Sequence, residues 1–396
     1  MSELPVLVAG GGIAGLAAAL GLSRQGHAVR LFEQAPAFSE VGAGLQMSPN
    51  GVRALRALGA WEAVEPSCVV PSEIHVRDGM SGRVLQRVRL GKPFEQRFGA
   101  PYRVCHRADL LAGLLEAGNG RTLISLEPGQ TVESAADAGE RVRINLAGGM
   151  DVQGKALVIA DGIRSRLRSA ICGPVAPVDR RLQLYRALIA FNAVPPGIAA
   201  DCVTLWLYPG AHVVHYPVSN WQRFNIVIAV DDCLTPAGAA GWQAPATAAD
   251  VRGGVPDACA DLASLLALEV GWQRWSGADL PDLPRWSSGA LTLIGDAAHA
   301  TLPFLAQGAM MALEDAVVLS KALSREPLPA SAFAAYEQAR RPRTRRIQAE
   351  SRRMGRTYHA KGALAMARNL ALWLAGPSFA LDRLDWIYRW MPPWGD

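Results

Sequence analysis

Short, wholly apolar runs alternate with glycine-rich polar breaks along the first part of the chain. Residues 4–9 have the unbroken hydrophobic character of a strand buried on both faces of a parallel sheet. The Ala/Leu-rich stretch 16–22 favours a helix, and residues 28–32 read as a second strand ending on Glu33. Gly42 and Gly44 then make a flexible loop, and Ser48-Pro49-Asn50 open a helix running to about Leu58. Residues 72–90 are strand-like, with turns at Asp78-Gly79 and Ser81-Gly82. A short strand and a helix starting between Arg107 and Asp109 follow. Residues 142–146 and 156–159 read as strands, the second closing on Asp161-Gly162.

Between about Asp179 and Trp275 the pattern changes. Strand-like runs at 183–191, 203–208, 212–217 and 224–230 are separated by Pro, Gly and Asn turns, which predicts an antiparallel sheet inserted into the first domain. Residues 235–250, rich in Ala, Gly and Pro, read as surface loop and a helix start. ALTLIGDAAHA (290–300) restores the buried-strand pattern, and helices dominate from Met310 onward. Residues 363–374 are apolar but short and interrupted by Arg368 and Asn369, as in a core or interface helix and unlike a membrane span.

Composition narrows this picture. A chain of 396 residues is long for one core, so two closely built domains are expected. With 50% hydrophobic and 19% charged residues it is a compact globular protein, and a net charge of +5 is no nucleic-acid signature. The densest basic run, Arg340 to Arg356, reads first as the solvated face of a late helix and second as a binding patch. Six cysteines (Cys68, Cys105, Cys172, Cys202, Cys233, Cys259) form no C-x-x-C pair and no metal-ligand cluster. They indicate reduced thiols in a cytoplasm, without disulfides, zinc or a dithiol centre. The apolar N-terminus lacks the basic n-region of a signal peptide.

Candidate chemistry concentrates in three motifs. Gly10, Gly12 and Gly15 follow the first strand at G-x-G-x-x-G spacing and open the first helix. Gly10 permits the tight turn, Gly12 admits a pyrophosphate to the backbone, and Gly15 lets helix and strand pack closely. The helix N-terminus offers free N–H groups and its dipole to phosphate. Glu33, some twenty residues on, can accept hydrogen bonds from a ribose diol. The second motif is ADGIRSRLR, with Asp161-Gly162 at a strand end followed by Arg164, Arg166 and Arg168. In the third, Asp296 ends another strand, Pro303 interrupts the loop and Gly308 opens a helix. A strand-end aspartate can bind sugar or ribityl hydroxyls, and N–H groups at Gly308 and Ala309 can stabilise negative charge on a ring.

With these motifs the sequence resembles the single-component FAD-dependent aromatic hydroxylases, the group typified by para-hydroxybenzoate hydroxylase and salicylate hydroxylase. The likeness spans nearly the whole chain. GAGLQMSPNG, HRADLL and GDAAH…QGA…LEDA look especially like the salicylate, 3-hydroxybenzoate and 6-hydroxynicotinate hydroxylase branch. It implies an α/β fold: a glutathione-reductase-like FAD-binding Rossmann domain (1–71, 101–178, 279–350), an inserted β-sheet substrate domain (72–100, 179–278) and a helical C-terminal segment (351–396). Tight, non-covalent FAD would be held by Glu33 at the adenosine ribose, Ala14 at the pyrophosphate and Arg107 at the phosphate or ribityl region. Asp296 would bind ribityl hydroxyls, Gly308 and Ala309 would sit beside the flavin pyrimidine, and Gln46, in the glycine loop, near the isoalloxazine. Asp161 reads equally as a cofactor contact and as a structural pin for its strand end.

The resemblance also implies the reaction. NADH or NADPH, bound transiently, would reduce FAD, and a flavin C4a-hydroperoxide formed with O2 would hydroxylate a small phenolic or N-heteroaromatic substrate. Strand alternation in HVVHYPV puts His212, Val214 and Tyr216 on one face and Val213 and His215 on the other. In the hydroxynicotinate and hydroxybenzoate members a His and a Tyr at this spacing line the substrate pocket. His212, a base titrating near neutrality, would activate the phenol, with Tyr216 beside it. Two histidines in an exposed sheet are the alternative. His299 reads as structural, and Arg186 is a candidate carboxylate anchor of unknown facing. No metal, nucleic acid or membrane is expected, and the chain would be a monomer or homodimer. A urate-type hydroxylase, an epoxidase or a non-catalytic FAD-binding protein would share the three motifs; a disulfide reductase would need a cysteine pair and second nucleotide domain that are not visible.

Overall fold

The computed structural model describes residues 4–38, 43–139, 141–231 and 243–394. At its centre Val6–Ala9, fully buried, lies between two parallel neighbours, Ala156–Ile159 and Val29–Glu33. The sheet continues to Leu291–Leu293 and the short antiparallel Ser287–Ser288 on one side and to Ile124–Pro128 on the other. Two glycines make the first crossover possible. Gly10 has φ +112°, and a Cβ there would stand 2.4 Å from the carbonyl oxygen of Ala160, at the end of the adjacent strand. A Cβ on Gly15 would stand 1.9 Å from the carbonyl oxygen of Gly10, so only glycine lets the helix Ile13–Arg24 fold back onto its strand.

A second, eight-stranded sheet runs in the order Gln243–Pro245, Gln273–Asp279, Val178–Ala190, Arg223–Asp231, Ala211–Val218, Val203–Tyr208, Glu73–Asp78 and Val84–Arg89. Its long strands pair antiparallel, as the sequence pattern predicts, but Val203–Tyr208 pairs with Glu73–Asp78 in parallel. Glu73–Asp78 comes from far earlier in the chain, so no hairpin dictates its direction. One face of this sheet, with Trp206, Val213, Ile226 and Ile228, packs against Val251 and Leu262 of two short helices. The other face is turned toward the parallel sheet. Gly42, Cys233 and residues 235–242 of the segment expected as loop and helix start lie outside the described residues, and the helix start falls at Ala248.

Three helices, Gly308–Arg325, Pro329–Tyr358 and Gly362–Tyr388, close the molecule, the last broken at Gly376. The basic run proves only partly a solvated face. Arg340 is 1% exposed and bonded to Glu314 and Asp315, and Arg343 also reaches Glu314, because this flank of Pro329–Tyr358 packs on Gly308–Arg325. Arg345, Arg346, Arg353 and Arg356 face solvent as expected. In the last helix Leu364, Leu370, Trp373 and Leu374 are mostly exposed, so this stretch is no core helix. Among the described residues no helix is long and apolar enough to cross a membrane. The α/β architecture, with its nucleotide-binding sheet, second sheet and terminal helices, matches the expected fold class.

Candidate functional site

A cavity of about 790 Å³ opens between the C-terminal ends of the parallel strands and the second sheet. Every candidate residue except Gly15 lines it; Gly15 lies beneath, where it sets the helix against the strand. Gly10, Gly12 and Ala14 form one wall. Beside them the Glu33 carboxylate accepts hydrogen bonds from the N–H of Gly11 (2.6 Å) and of Ala35 (2.8 Å). Each oxygen keeps a lone pair for a further donor.

Asp161 fits both of its sequence readings. Its Oδ2 accepts from the N–H of Arg166 (3.0 Å) and Leu167 (3.3 Å), which pins the strand end. Its Oδ1 is buried at the cavity wall with no partner among the described residues, and burial pushes this carboxyl up despite those bonds. Arg168 turns away, its guanidinium spent on the carbonyls of Ala297, Val175 and Ile163.

Asp296 stands at the cavity rim at the start of a short helix, Pro303 begins the turn that follows, and Gly308 and Ala309 open Gly308–Arg325 with their N–H groups at its N-terminus. A buried network holds this region. Asp315 accepts from His299 (2.5 Å), the Gly295 N–H (3.1 Å) and Arg340 (2.6 Å). Burial alone would raise Asp315, but the charges of His299 and Arg340 outweigh it and hold the carboxyl at about 2. His299 is thus structural, as expected.

The opposite wall is the second sheet. Alternation turns Leu184, Arg186, His212, Val214, Tyr216, Val227 and Trp275 toward the cavity. His215 faces the other way and accepts from Trp206 Nε1–H (2.9 Å); burial, then Arg77 and His75, push it down to about 3. Both histidines are buried, which removes the exposed-sheet alternative. His212, only 4% exposed, does not titrate near neutrality as expected: burial, then His359, hold it well below the usual histidine range. Tyr216 lies beside Gln46, and its burial keeps the phenol protonated. Gln46 accepts from the Tyr102 hydroxyl (2.6 Å). Gln46 is not in a loop but on the strand Gly44–Met47, paired with Arg103–His106; Gly44 is required because a Cβ would collide with the Tyr216 ring.

Arg107 opens its helix at the cavity wall. Arg186 faces the cavity too. Its guanidinium carbon lies 5.0 Å from the Trp275 ring centroid, and Nε is buried without a hydrogen-bond partner among the described residues. Burial, then the nearby charge of Arg107, lower its pKa. Sequence reasoning named Arg186 without its facing, and it missed His359, Asp231 and Tyr102, which only the folded chain brings near His212 and Gln46.

Residues 3–351 match the family described as FAD binding domain. The chain is 37% identical to 3-hydroxybenzoate 6-hydroxylase of Polaromonas naphthalenivorans (strain CJ2), over 98% of this chain and 96% of that one. The chain belongs to the FAD-dependent aromatic hydroxylases. Within that family it is also 34% identical to 3-hydroxybenzoate 6-hydroxylase of Klebsiella oxytoca, over 97% and 96% of the two chains. Its structure is similar to Klebsiella pneumoniae HpxO complexed with FAD and uric acid (TM-score 0.85, 26% identity, 97% and 96% covered). It is likewise similar to a salicylate hydroxylase substrate complex (0.83, 26%, 98% and 96%). The residues present suit the family's cofactor. Asp161 Oδ1 and the Thr301 hydroxyl, without partners among the described residues, and the spare lone pairs of Glu33 all border the cavity and can take hydroxyl or N–H partners.

Proposed function

We propose that the protein hydroxylates a small carboxylated phenol of the 3-hydroxybenzoate kind, using NADH or NADPH and O2. The observation that carries this reading is Arg186: a cation on the same cavity wall as His212 and Tyr216 whose Nε is buried with no hydrogen-bond partner among the described residues. A cation in that setting is costly unless a carboxylate joins it, and a benzoate brings one on a flat ring. Urate is an anion too, but the relatives named above at 37% and 34% identity are 3-hydroxybenzoate 6-hydroxylases, against 26% for the HpxO complexed with FAD and uric acid, which favours the benzoate over the urate-type alternative.

In this reading Gly10, Gly12 and Ala14 hold the pyrophosphate of FAD, Glu33 the adenosine ribose, Arg107 the phosphate or ribityl region, and Asp161 and Asp296 the hydroxyls beyond. Pro303, Gly308 and Ala309 border the flavin ring, with Gln46 across from them. Bound FAD supplies the reducing and oxygen-activating chemistry, while the protein orients the substrate and excludes water. His212 accepts the phenol proton at Nε2, the ring nitrogen not engaged by His359. A phenolate is a far better nucleophile toward an electrophilic oxygen than a phenol. Tyr216, protonated throughout, donates to and steers substrate oxygens. The nicotinamide donor visits transiently, since the sequence holds one dinucleotide fingerprint. In this reading residues 179–278 present the substrate wall, and residues 72–100 extend the same sheet at its far edge. The five described cysteines are unbridged, in keeping with a cytoplasmic setting.

The test is ligand-stimulated NAD(P)H oxidation with product mass, across hydroxybenzoates, hydroxynicotinates and urate. A hydroxylated benzoate, with consumption of NAD(P)H matched to product, is the expected result. Turnover of urate alone, or of neutral phenols as well as of benzoates, would overturn it.

A further inference from the structure

We propose that His359 and Asp231 extend His212 into a proton relay from the substrate cavity to the protein surface. The proposal rests on the phenol hydroxylation inferred above and adds the route by which the phenol's proton leaves.

His212 Nδ1 lies 2.8 Å from His359 Nε2, and His359 Nδ1 lies 2.5 Å from Asp231 Oδ1. Exposure rises along the chain in the required direction. His212 and the His359 side chain are about 4% and 5% exposed, whereas the Asp231 side chain is 40% exposed. The backbone fixes the arrangement: the Gly210 N–H donates to the His359 carbonyl (3.1 Å) and the Asp231 N–H to the Gly210 carbonyl (2.8 Å). His359 caps the C-terminus of Pro329–Tyr358, where the helix dipole favours a passing positive charge.

The tautomers follow from the acceptor at the outer end. An ionised Asp231 accepts only, so His359 carries its proton on Nδ1 and presents a bare Nε2. His212 then donates from Nδ1 and turns a bare Nε2 to the cavity. The phenol proton moves to His212 Nε2, the Nδ1 proton of His212 to His359 Nε2, and the Nδ1 proton of His359 to Asp231 and on to water. One proton leaves and neither ring need hold a lasting charge. Running the chain in reverse reprotonates the product and restores both tautomers. This resolves a difficulty in the site, because a histidine buried as deeply as His212 is a poor store for a proton but an adequate conduit. The groups around the relay leave it free to work. Phe304 and Tyr358 flank His212, Tyr358 being held neutral by its burial, and Lys361 approaches Gly210 beside Asp231 at the outer end.

Two measurements test the relay in the FAD-loaded protein. With 15N-labelled histidine, the ring signals of His212 and His359, assigned through His212→Asn and His359→Gln, are expected to show Nδ1–H and bare Nε2 in both rings when the rings are neutral, at alkaline pH. A proton on Nε2 of His212 would overturn the proposal whatever the substrate. With a hydroxylated benzoate, His359→Gln is expected to lower product formed per NAD(P)H by about tenfold or more, with the loss easing as pH rises. Asp231→Asn should do the same more mildly, and imidazole should rescue His359→Gly, while FAD retention and flavin reduction stay at wild-type levels. Wild-type coupling and an unshifted pH profile in His359→Gln would overturn the relay. Absence of any hydroxylation by the wild type would instead sink the substrate reading, and the ring spectra would still judge the relay.

Discussion

Arg186→Met separates the carboxylate reading from its rivals. Methionine keeps the apolar stem against Trp275 and removes only the guanidinium. The Nε of Arg186 is already desolvated and has no partner among the described residues, so an incoming carboxylate gains a charge-assisted bond there with no water to strip from that nitrogen. Removing one partner of such a buried pair costs about 2–4 kcal/mol of binding, or roughly 30- to 700-fold in Kd at about 1.4 kcal/mol per tenfold. A neutral phenol such as 3-hydroxybenzyl alcohol should lose less than about 1 kcal/mol, having only ring contacts to forgo. The ligand-free protein should meanwhile be unchanged or more stable, because a buried Nε–H without a partner among the described residues has been replaced by apolar surface. Kd is read from the perturbation of flavin absorbance on titration with 3-hydroxybenzoate and with the alcohol, and stability from thermal melts without ligand. Equal losses for the acid and the alcohol, or a destabilised ligand-free protein, would show that Arg186 serves the fold and not the carboxylate.

Glu33→Ala should weaken FAD by about 1–3 kcal/mol, since the charge-assisted ribose bonds go and the Gly11 and Ala35 N–H groups lose their acceptor; titration of the apoprotein with FAD checks this, and undiminished affinity would unseat the assignment. His212→Ala should keep FAD bound and reducible while hydroxylation falls roughly 10²–10⁴-fold, with hydrogen peroxide in place of product; product per NAD(P)H is the readout. His215→Ala should leave that ratio intact and cost about 1–3 kcal/mol of stability, by orphaning Trp206 Nε1–H in the core behind the sheet. For Asp315 the folded-state pKa lies below the unfolded one, so its contribution is present above about pH 4 and is lost as pH falls toward 2. Asp315→Asn should therefore be less stable at neutral pH but show a flatter acid limb in denaturant melts taken between pH 5 and 2.

What the sequence reveals is what is local. Gly10, Gly12, Gly15 and Glu33 belong to one strand–turn–helix–strand unit, and neighbours along the chain determine both the turn and the place of the acid. His212 and Tyr216 share a face because strand alternation needs no knowledge of the partner strand. The misreadings all involve a distant partner. Gly44–Met47 becomes a strand only by pairing with Arg103–His106, about sixty residues on, so Gln46 reads as loop from sequence. The facing of Arg186 depends on the strand's parity, and the register of that strand shifts between Asp179 and Gln183. Arg340 is buried because the facing helix carries Glu314 and Asp315, a pairing that a count of basic residues along one helix cannot see. The pKa of His212 is displaced by burial and by His359, neither of which leaves a mark on HVVHYPV.

The same contrast separates the two tasks of the site. Cofactor contacts gather at the ends of parallel strands, where each βα turn supplies its own backbone donors, so they appear as motifs. The substrate wall is a sheet face assembled from four strands, and its chemistry depends on which side chains cross-strand register brings together. The C-terminal segment belongs to that second task. Tethered by Gly210, it brings His359 against Asp231 and so offers a buried base an outlet that its own sheet lacks. A change at the end of the long helix should then alter the fate of activated oxygen while leaving cofactor binding untouched, because the two depend on opposite walls of one cavity.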